Sequence, residues 1–312
     1  MVSHQAQTDR TQRIAALAYR YADQPKEWTE RCNLCGGNYF VQLCDHDRYG
    51  FEASALACAR CGLVFLNPRL TRAGYGDFYA TIYRPLVSAY HGRLIDAKSI
   101  QREQGDYANE RAVFAAPFFD QRPGRRFLDI GGSTGVVAQH FAERFNYSGV
   151  VLDPSAEELG EAKKRGLATV QGLFEEADFG GEKFELVLLC QTVDHLLDIA
   201  LTLAKVRECL TKDGIFFIDI VDFRAAYLRN WSVSEAIKID HPYYLTQETI
   251  EGYLGQKGFR ILRKGYAADR LHISYICTAG KADAGQLPGT ESVEGLLREI
   301  RTVQNAPRGM AP

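Results

Sequence analysis

Phe127-Leu-Asp-Ile-Gly-Gly-Ser-Thr-Gly135 is the stretch on which the reading of this chain turns. An apolar run ends in an acid, Asp129, and passes into Gly131, Gly132, Ser133 and Gly135. Residues 134–145 then place apolar side chains at helical spacing. A strand, a glycine-rich turn and a helix in that order bring backbone close to a ligand at the carboxyl end of the strand. The spacing is not the dinucleotide fingerprint. Counted from Gly131, the third and sixth places hold Ser133 and Val136, and no P-loop lysine follows.

Outward from this loop the pattern repeats. Strands are expected at 126–130, 149–152, 168–171, 184–190 and 214–221, with helices at 134–145, 156–165 and 196–210 between them. A further helix spans 246–257, with Thr246 as its N-cap and Gly258 as its stop. Segments 259–264 and 271–278 read as a hairpin, so one edge strand is expected to run antiparallel. Repeated β–α units predict an α/β, doubly wound, mostly parallel sheet covered on both faces. Five regions follow: an N-terminal helix in 1–29, with Ile14, Leu17, Ala18 and Tyr21 as its stripe; a cysteine-bearing ribbon in 30–70; an aromatic helical linker in 71–122, ended by Pro123-Gly124; the sheet domain in 123–279; and a mobile tail in 280–312 holding one short helix. In that helix Val293, Leu296, Leu297, Ile300 and Val303 share a face.

Cys32-Asn-Leu-Cys35-Gly36 and Cys58-Ala-Arg-Cys61-Gly62 form two matching knuckles. Each Cys-x-x-Cys turn aims two thiolates at one point, and the glycine after it lets the backbone turn tightly. Together they supply the closed tetrahedral set of a structural zinc site, with no open position for catalysis. Cys44 and His46 lie between the knuckles as alternative ligands.

The formal net charge of −2 provides no broad basic surface for nucleic acid or anionic membrane. The start, MVSHQAQTDRTQR, has no apolar core of a secretory signal, and no long apolar run would cross a bilayer. A cytoplasmic protein is expected, its clustered cysteines serving metal rather than disulfides.

The quoted stretch resembles the first motif of class I S-adenosylmethionine-dependent methyltransferases, D-x-G-x-G-x-G, read here as Asp129, Gly131, Ser133 and Gly135, with Ser133 in place of the central glycine. That resemblance implies a Rossmann-like class I methyltransferase sheet and S-adenosylmethionine as cofactor. It implies cofactor contacts from Asp129, Gly131, Gly132, Ser133 and Gly135, and ribose binding by Asp153. Leu173 or Phe174 would flank the adenine, and Cys190 and Gln191 would meet the methionine end. Asp194-His195-Leu196 resembles the family's Glu-His-Leu helix start, which is more often structural than catalytic. With the knuckles, Cys61-Gly-Leu-Val-Phe-Leu-Asn-Pro-Arg69 and Phe78-Tyr79-x-x-x-Tyr83-Arg84, the chain is similar to zinc-ribbon methyltransferases of sugar and surface-glycan biosynthesis, deoxysugar C-methyltransferases among them.

The segment 222–245 follows the fifth strand, where loops line the ligand crevice of open sheets. Its Asp240-His241 resembles the Glu-His part of a Tyr-x-Glu-His segment in the sugar C-methyltransferases, with Lys238 where the tyrosine would stand. On that resemblance His241 is the expected base, because histidine titrates near neutrality. Asp240 would orient it, and Tyr79 or Tyr83 would close the pocket. The bland reading is a loop histidine capping a turn before Pro242. The expected acceptor is a small molecule, a nucleotide-linked sugar or glycan precursor. A zinc-ribbon RNA methyltransferase is the first rival. It is disfavoured because Lys26, Arg31, Arg48, Arg60, Arg69 and Arg72 are nearly balanced by Glu27, Glu30, Asp45, Asp47 and Glu52, and because Cys190-Gln-Thr-Val replaces the Asn/Asp-Pro-Pro-Tyr signature. A non-catalytic cofactor-binding scaffold is the second rival. Oligomeric state is left open.

Overall fold

The computed structural model describes residues 4–99, 101–119, 125–280 and 287–306. The chain divides into two compact units, one of residues 1–96, 222–249 and 287–312, the other of residues 97–221 and 250–286. The sheet domain expected at 123–279 is therefore interrupted. Segment 222–249 leaves it, and residues from 97 onward join it.

The second unit holds a seven-stranded sheet. Its strands are β1 (Arg126–Ile130), β2 (Ser148–Asp153), β3 (Ala168–Gln171), β4 (Phe184–Leu189), β5 (Leu210–Val221), β6 (Phe259–Tyr266) and β7 (His272–Ala279), in the order β6-β7-β5-β4-β1-β2-β3. Pairs β5–β4, β4–β1, β1–β2 and β2–β3 are parallel, while β7 is antiparallel to both β5 and β6. The antiparallel strand is thus not the edge strand, as expected, but lies one place inside it. Amphipathicity decides this. Ile273–Cys277 is wholly buried and uncharged, whereas Phe259–Tyr266 carries Arg260, Arg263 and Lys264 and tolerates only one covered flank.

Helix α1 (Gln101–Phe119) comes from the segment expected to be a linker. Its Ala112, Ala115 and Phe119 recur at helical spacing, and the small residues let the helix pack into the sheet's core. There Phe119 meets Phe145 at 5.2 Å, and Phe141 of α2 (Val136–Phe145) meets Phe217 at 5.8 Å. The helices α3 (Ala156–Lys164) and α4 (Ile199–Cys209) begin on side-chain caps from Ser155 and Asp198.

The first unit is built on a four-stranded sheet, in the order Tyr243–Tyr244, Val64–Leu66, Glu52–Cys58, Phe40–His46. The inserted segment 222–245 therefore supplies a strand to the ribbon's sheet. The N-terminal helix spans His4–Ala15 and buries Ile14, but it ends before Leu17, Ala18 and Tyr21. Ala18 takes φ 53°, incompatible with continuing a right-handed helix. The expected linker break at Pro123-Gly124 lies outside the described residues.

The expected mobile tail contains a packed helix, Thr290–Asn305. Val293, Leu297, Ile300 and Val303 are buried, and a Cβ placed on Gly62 would meet Leu296 at 3.3 Å and Val293 at 3.8 Å. Glu299 accepts from Arg224 Nε and Nη2 at 2.9 and 2.6 Å, and Tyr227 donates to it as well. The amphipathic face thus has a partner that sequence separation concealed. Ile300→Ala should lower the unfolding free energy of the first unit by about 2–5 kcal/mol through the cavity left behind. Denaturant titration followed by hydrogen exchange of helix 290–305 checks this, and an unchanged midpoint would mean the helix is not docked.

Candidate functional site

The loop after β1 turns because three of its residues take positive φ: Gly131 at 67°, Ser133 at 50° and Gly135 at 74°. A Cβ on Gly131 would lie 2.5 Å from Thr192 Cγ2, so no larger residue fits there without displacing Thr192. Backbone N–H groups of Gly131 and Gly132 donate to Leu152 O at 2.7 and 3.3 Å, tying the turn to the end of β2. Ser133, in the glycine position, sits in a left-handed conformation that costs a non-glycine residue about 1–2 kcal/mol. Its Oγ donates to Glu158 Oε2 at 2.6 Å, which offsets that strain.

Asp129 lies in β1 beneath this loop, 1 % exposed, and among the described residues neither carboxyl oxygen has a hydrogen-bond partner. Burial first, then the charge of Asp153, push its carboxyl up to about 8. Asp153 caps β2 and is itself buried. Its Oδ2 accepts from Ser133 N at 3.0 Å and its Oδ1 from Ser155 N at 2.8 Å. Asp129, Asp153 and the loop are brought together as the sequence predicts.

Leu173 is half-buried on the turn after β3, but Phe174 is turned into the core. Its ring packs on Phe179 at 6.2 Å, and Lys205, whose Nζ caps Phe174 O at 2.7 Å, lies over it. Phe174 is therefore corrected from an adenine-flanking residue to a core one. Lys205 closes the 173–177 turn and fixes which ring faces inward.

After β4, Cys190, Gln191 and Thr192 form the opposite wall of the loop. Gln191 takes φ 49°, and its N–H donates to Asp219 Oδ1 at 2.7 Å. Burial, then Asp219, push the Cys190 thiol well above the ordinary range. Asp219 was missed by the sequence reading. It stands fully buried inside the apolar run Ile215–Val221, and an acid there is the signal that could have revealed it. Tyr107 donates to its Oδ2, and Arg111 Nε does so at 3.2 Å, both reaching from α1. Gln104, one turn earlier, receives Thr134 Oγ1 at 2.8 Å. Helix α1 is thus bolted to the glycine loop and to the turn after β4. Asp194 and His195 occupy a single 3-10 turn, 4.0 Å apart.

In the first unit the four cysteine Sγ atoms lie within 4.8 Å of one another. Cys32–Cys61 and Cys35–Cys58 are each 3.5 Å apart and none forms a disulfide. Four sulfurs about 2.3 Å from one ion lie about 3.8 Å apart, so this set fits a tetrahedral zinc. Gly36 and Gly62 take φ 70° and 75°, and their N–H groups close equivalent turns on Cys32 O and Cys58 O, both at 2.8 Å. Cys44 and His46 stand outside the cluster.

The same unit holds Asp240 and His241, both buried. Tyr79 donates to Asp240 O at 2.7 Å, while Tyr83 stacks edge-on against Tyr79 at 5.2 Å, one ring further out. Asp240 Oδ2 lies 3.3 Å from His241 Nε2, but Lys238 Nζ lies nearer, at 2.9 Å. The two groups meet the same nitrogen: the ammonium would use its lone pair, whereas the carboxylate would bond it in the protonated form. Asp47, also missed, takes three backbone N–H groups, from Tyr49, Phe51 and Ile239, and burial pushes its carboxyl up to about 7. These bonds pin segment 238–241 to the ribbon.

A family model described as a methyltransferase domain matches residues 100–264. Among curated relatives, a ubiquinone biosynthesis O-methyltransferase of Azorhizobium caulinodans is 26% identical over 154 residues, 44% of this chain and 60% of that one. Another of that description, from Chelativorans sp., is 30% identical over 32% of this chain and 41% of its own. An (S)-coclaurine N-methyltransferase of Thalictrum flavum is 27% identical over 31% and 29%. The chain thus spans three fifths or less of the length of these relatives. A solved S-adenosylmethionine-dependent methyltransferase from Clostridium acetobutylicum superposes with a TM-score of 0.45 at 18% identity, over 66% of this chain and 99% of that one.

The Asp129 carboxyl yields a prediction. The folded chain keeps this proton to about pH 8, whereas an unfolded aspartate releases it near about pH 4. The folded state binds more protons in that window, so stability falls as pH rises through it. In ligand-free protein Asp129→Asn should gain stability over the parent as pH rises, with a limiting slope of about 1.4 kcal/mol per pH unit. Melting temperatures across the window test this, and a constant difference would contradict it.

Proposed function

The chain belongs to the methyltransferase-domain family, which covers residues 100–264, and from that premise we propose that it transfers the methyl group of S-adenosylmethionine to a hydroxyl of a small molecule. The observation that carries the cofactor is Asp129: a buried carboxyl without a partner among the described residues, under a loop whose glycines stand where a side chain would collide with its neighbours. Such a group is costly unless a ligand satisfies it, and the ammonium of a methionine moiety supplies the missing donors. Asp153 accepts the ribose hydroxyls, Leu173 lies against the base, and Gly131–Gly135 with Cys190–Gln191 line the methionine end. When bound, the cofactor supplies an electrophilic methyl on a sulfonium.

The acceptor oxygen is favoured by relatives named for O-methyl transfer in ubiquinone biosynthesis. The nucleotide-linked sugar expected from the sequence carries hydroxyls too and remains in the test panel, although the relatives reported above carry no such name. We also propose that Cys32, Cys35, Cys58 and Cys61 hold one structural zinc ion. We assign His241, expected as the base, to holding its loop, where its Nε2 lies 2.9 Å from Lys238 Nζ and 3.3 Å from Asp240 Oδ2. Tyr79 buttresses Asp240 in the same loop and Tyr83 packs behind it.

Calorimetry with S-adenosylhomocysteine should show one site per chain. Asp153→Ala should weaken it by about ten- to a hundredfold, the loss of charge-assisted hydrogen bonds. Labelled donor should mark a hydroxylated acceptor from a panel of phenols and nucleotide sugars. A folded chain that takes up neither donor nor product would overturn the proposal. Elemental analysis should find about one zinc per chain, and Cys61→Ser should lower both metal content and the melting temperature of the first unit. Full stability in the metal-free state would remove the zinc.

A further inference from the structure

Strand β7 begins at His272, and its register pairs His272 with Val221, the last residue of β5. Because β7 runs antiparallel, its first residue lies at the carboxyl edge of the parallel strands, the edge at which open α/β sheets bind ligands. This is the same edge that carries Asp129, Gln191 and the end of β5.

The ring of His272 is held from one side and presented on the other. Its Nδ1 lies 2.5 Å from Asp269 Oδ2. Asp269 Oδ1 in turn accepts from the N–H groups of Leu271 and His272 at 2.8 and 3.1 Å. Burial alone would raise that carboxyl, but these three hydrogen bonds outweigh it and bring it down to about 2. Asp269 is therefore a fixed anion, and it places the proton of a neutral imidazole on Nδ1. The Nε2 lone pair faces Gln191 Nε2 at 3.0 Å. Gln191 is exposed, and its amide is a neutral donor that an incoming hydroxyl can replace one for one. His241 differs on this point, since its Nε2 lies 2.9 Å from Lys238 Nζ and 3.3 Å from Asp240 Oδ2.

Among the described residues the other charged or titratable groups around His272 are few. Tyr107 lies edge-on to its ring at 6.4 Å, with its hydroxyl turned to Asp219. Arg111 offsets Asp219, and Glu110 is taken up by Arg111 Nη1 and by Ala268 N at 2.8 and 2.6 Å. Asp269 is thus the anion that faces the ring directly.

Resting on the methyl-transfer reading above, we propose that His272, oriented by Asp269, is the catalytic base that takes the proton of the acceptor hydroxyl. In the step, the acceptor oxygen forms a bond to the methyl carbon of S-adenosylmethionine. The carbon–sulfur bond breaks and its electron pair stays on sulfur, leaving neutral S-adenosylhomocysteine. The hydroxyl proton passes to His272 Nε2, and Asp269 stabilises the imidazolium. Gln191 holds Nε2 until the acceptor arrives.

The probe is 4-nitrophenol, whose ionised form is yellow, added to the full chain loaded with S-adenosylhomocysteine. Nitrophenol bound to the parent protein should ionise about one pH unit below free nitrophenol, a tenfold gain for the ionised form. His272→Gln keeps a polar side chain at the position without a basic nitrogen and should abolish the shift. Asp269→Asn should reduce it. Both variants should still take up S-adenosylhomocysteine, which shows that they fold. An equal shift in the parent and His272→Gln, or no shift in the parent, overturns the proposal. If S-adenosylhomocysteine itself does not bind the parent, the methyl-transfer reading fails and the base falls with it. If it binds while the shift ignores His272, only the base is wrong.

Discussion

A buried carboxyl group that finds no hydrogen-bond partner among the described residues is the constraint around which the second unit is arranged. Asp129, next to last in β1, is buried, and the Asp153 carboxylate beside it adds a negative charge that further favours the protonated form of Asp129. Desolvating one acid costs free energy, and placing another near it adds to the cost. The chain tolerates this because Asp129 keeps its proton, while Asp153 takes donors from Ser133 N in the loop and Ser155 N at the start of α3. The asymmetry leaves one acid satisfied by protein and the other reserved for a ligand. The glycines follow from the same need, since Thr192 and Val151 crowd the loop so closely that side chains at 131 and 132 would collide with them.

Asp219 is a counterpart with the opposite solution. It is also fully buried at the carboxyl end of the sheet, but Tyr107, Arg111 and the N–H of Gln191 all bond to it. That satisfaction is what holds helix α1 and the turn after β4 in register with the strands. A buried ion pair of this kind adds little net stability, yet removing one member would leave an uncompensated charge. Its value is positional. It sets the strained φ of Gln191 and so the direction in which that side chain meets His272.

The first unit shows how a small ribbon obtains a core. Its strands are short and its knuckles are mostly backbone turns, so the cysteines alone enclose little apolar surface. Two distant segments supply the rest: Tyr243–Tyr244 extends the sheet, and helix 290–305 covers Gly62 and the second knuckle. Buried Asp47 joins the ribbon to 238–241 by accepting from the backbone of Tyr49 on one side and of Ile239 on the other.

Local chemistry determined much of this protein by itself. The boundaries of β1, β3 and α3, the positive φ of Gly131 and Gly135, and the two knuckles were legible because they depend on residues adjacent in the chain. So was the grouping of Asp129, Asp153 and the loop, which are neighbours across one β–α–β unit. What only the tertiary structure decided are matters of long separation. It turned Phe174 inward, placed the antiparallel strand one position from the edge, docked the C-terminal helix on the ribbon, and set Lys238 against His241. Periodicity reports which face of an element is apolar, not which distant surface covers it. A hydrogen-bonding side chain likewise reports its capacity and not its partner. His272 shows both limits, since its position at the ligand edge follows from a strand reversal and its orientation from an aspartate whose role appears only once the hairpin has closed.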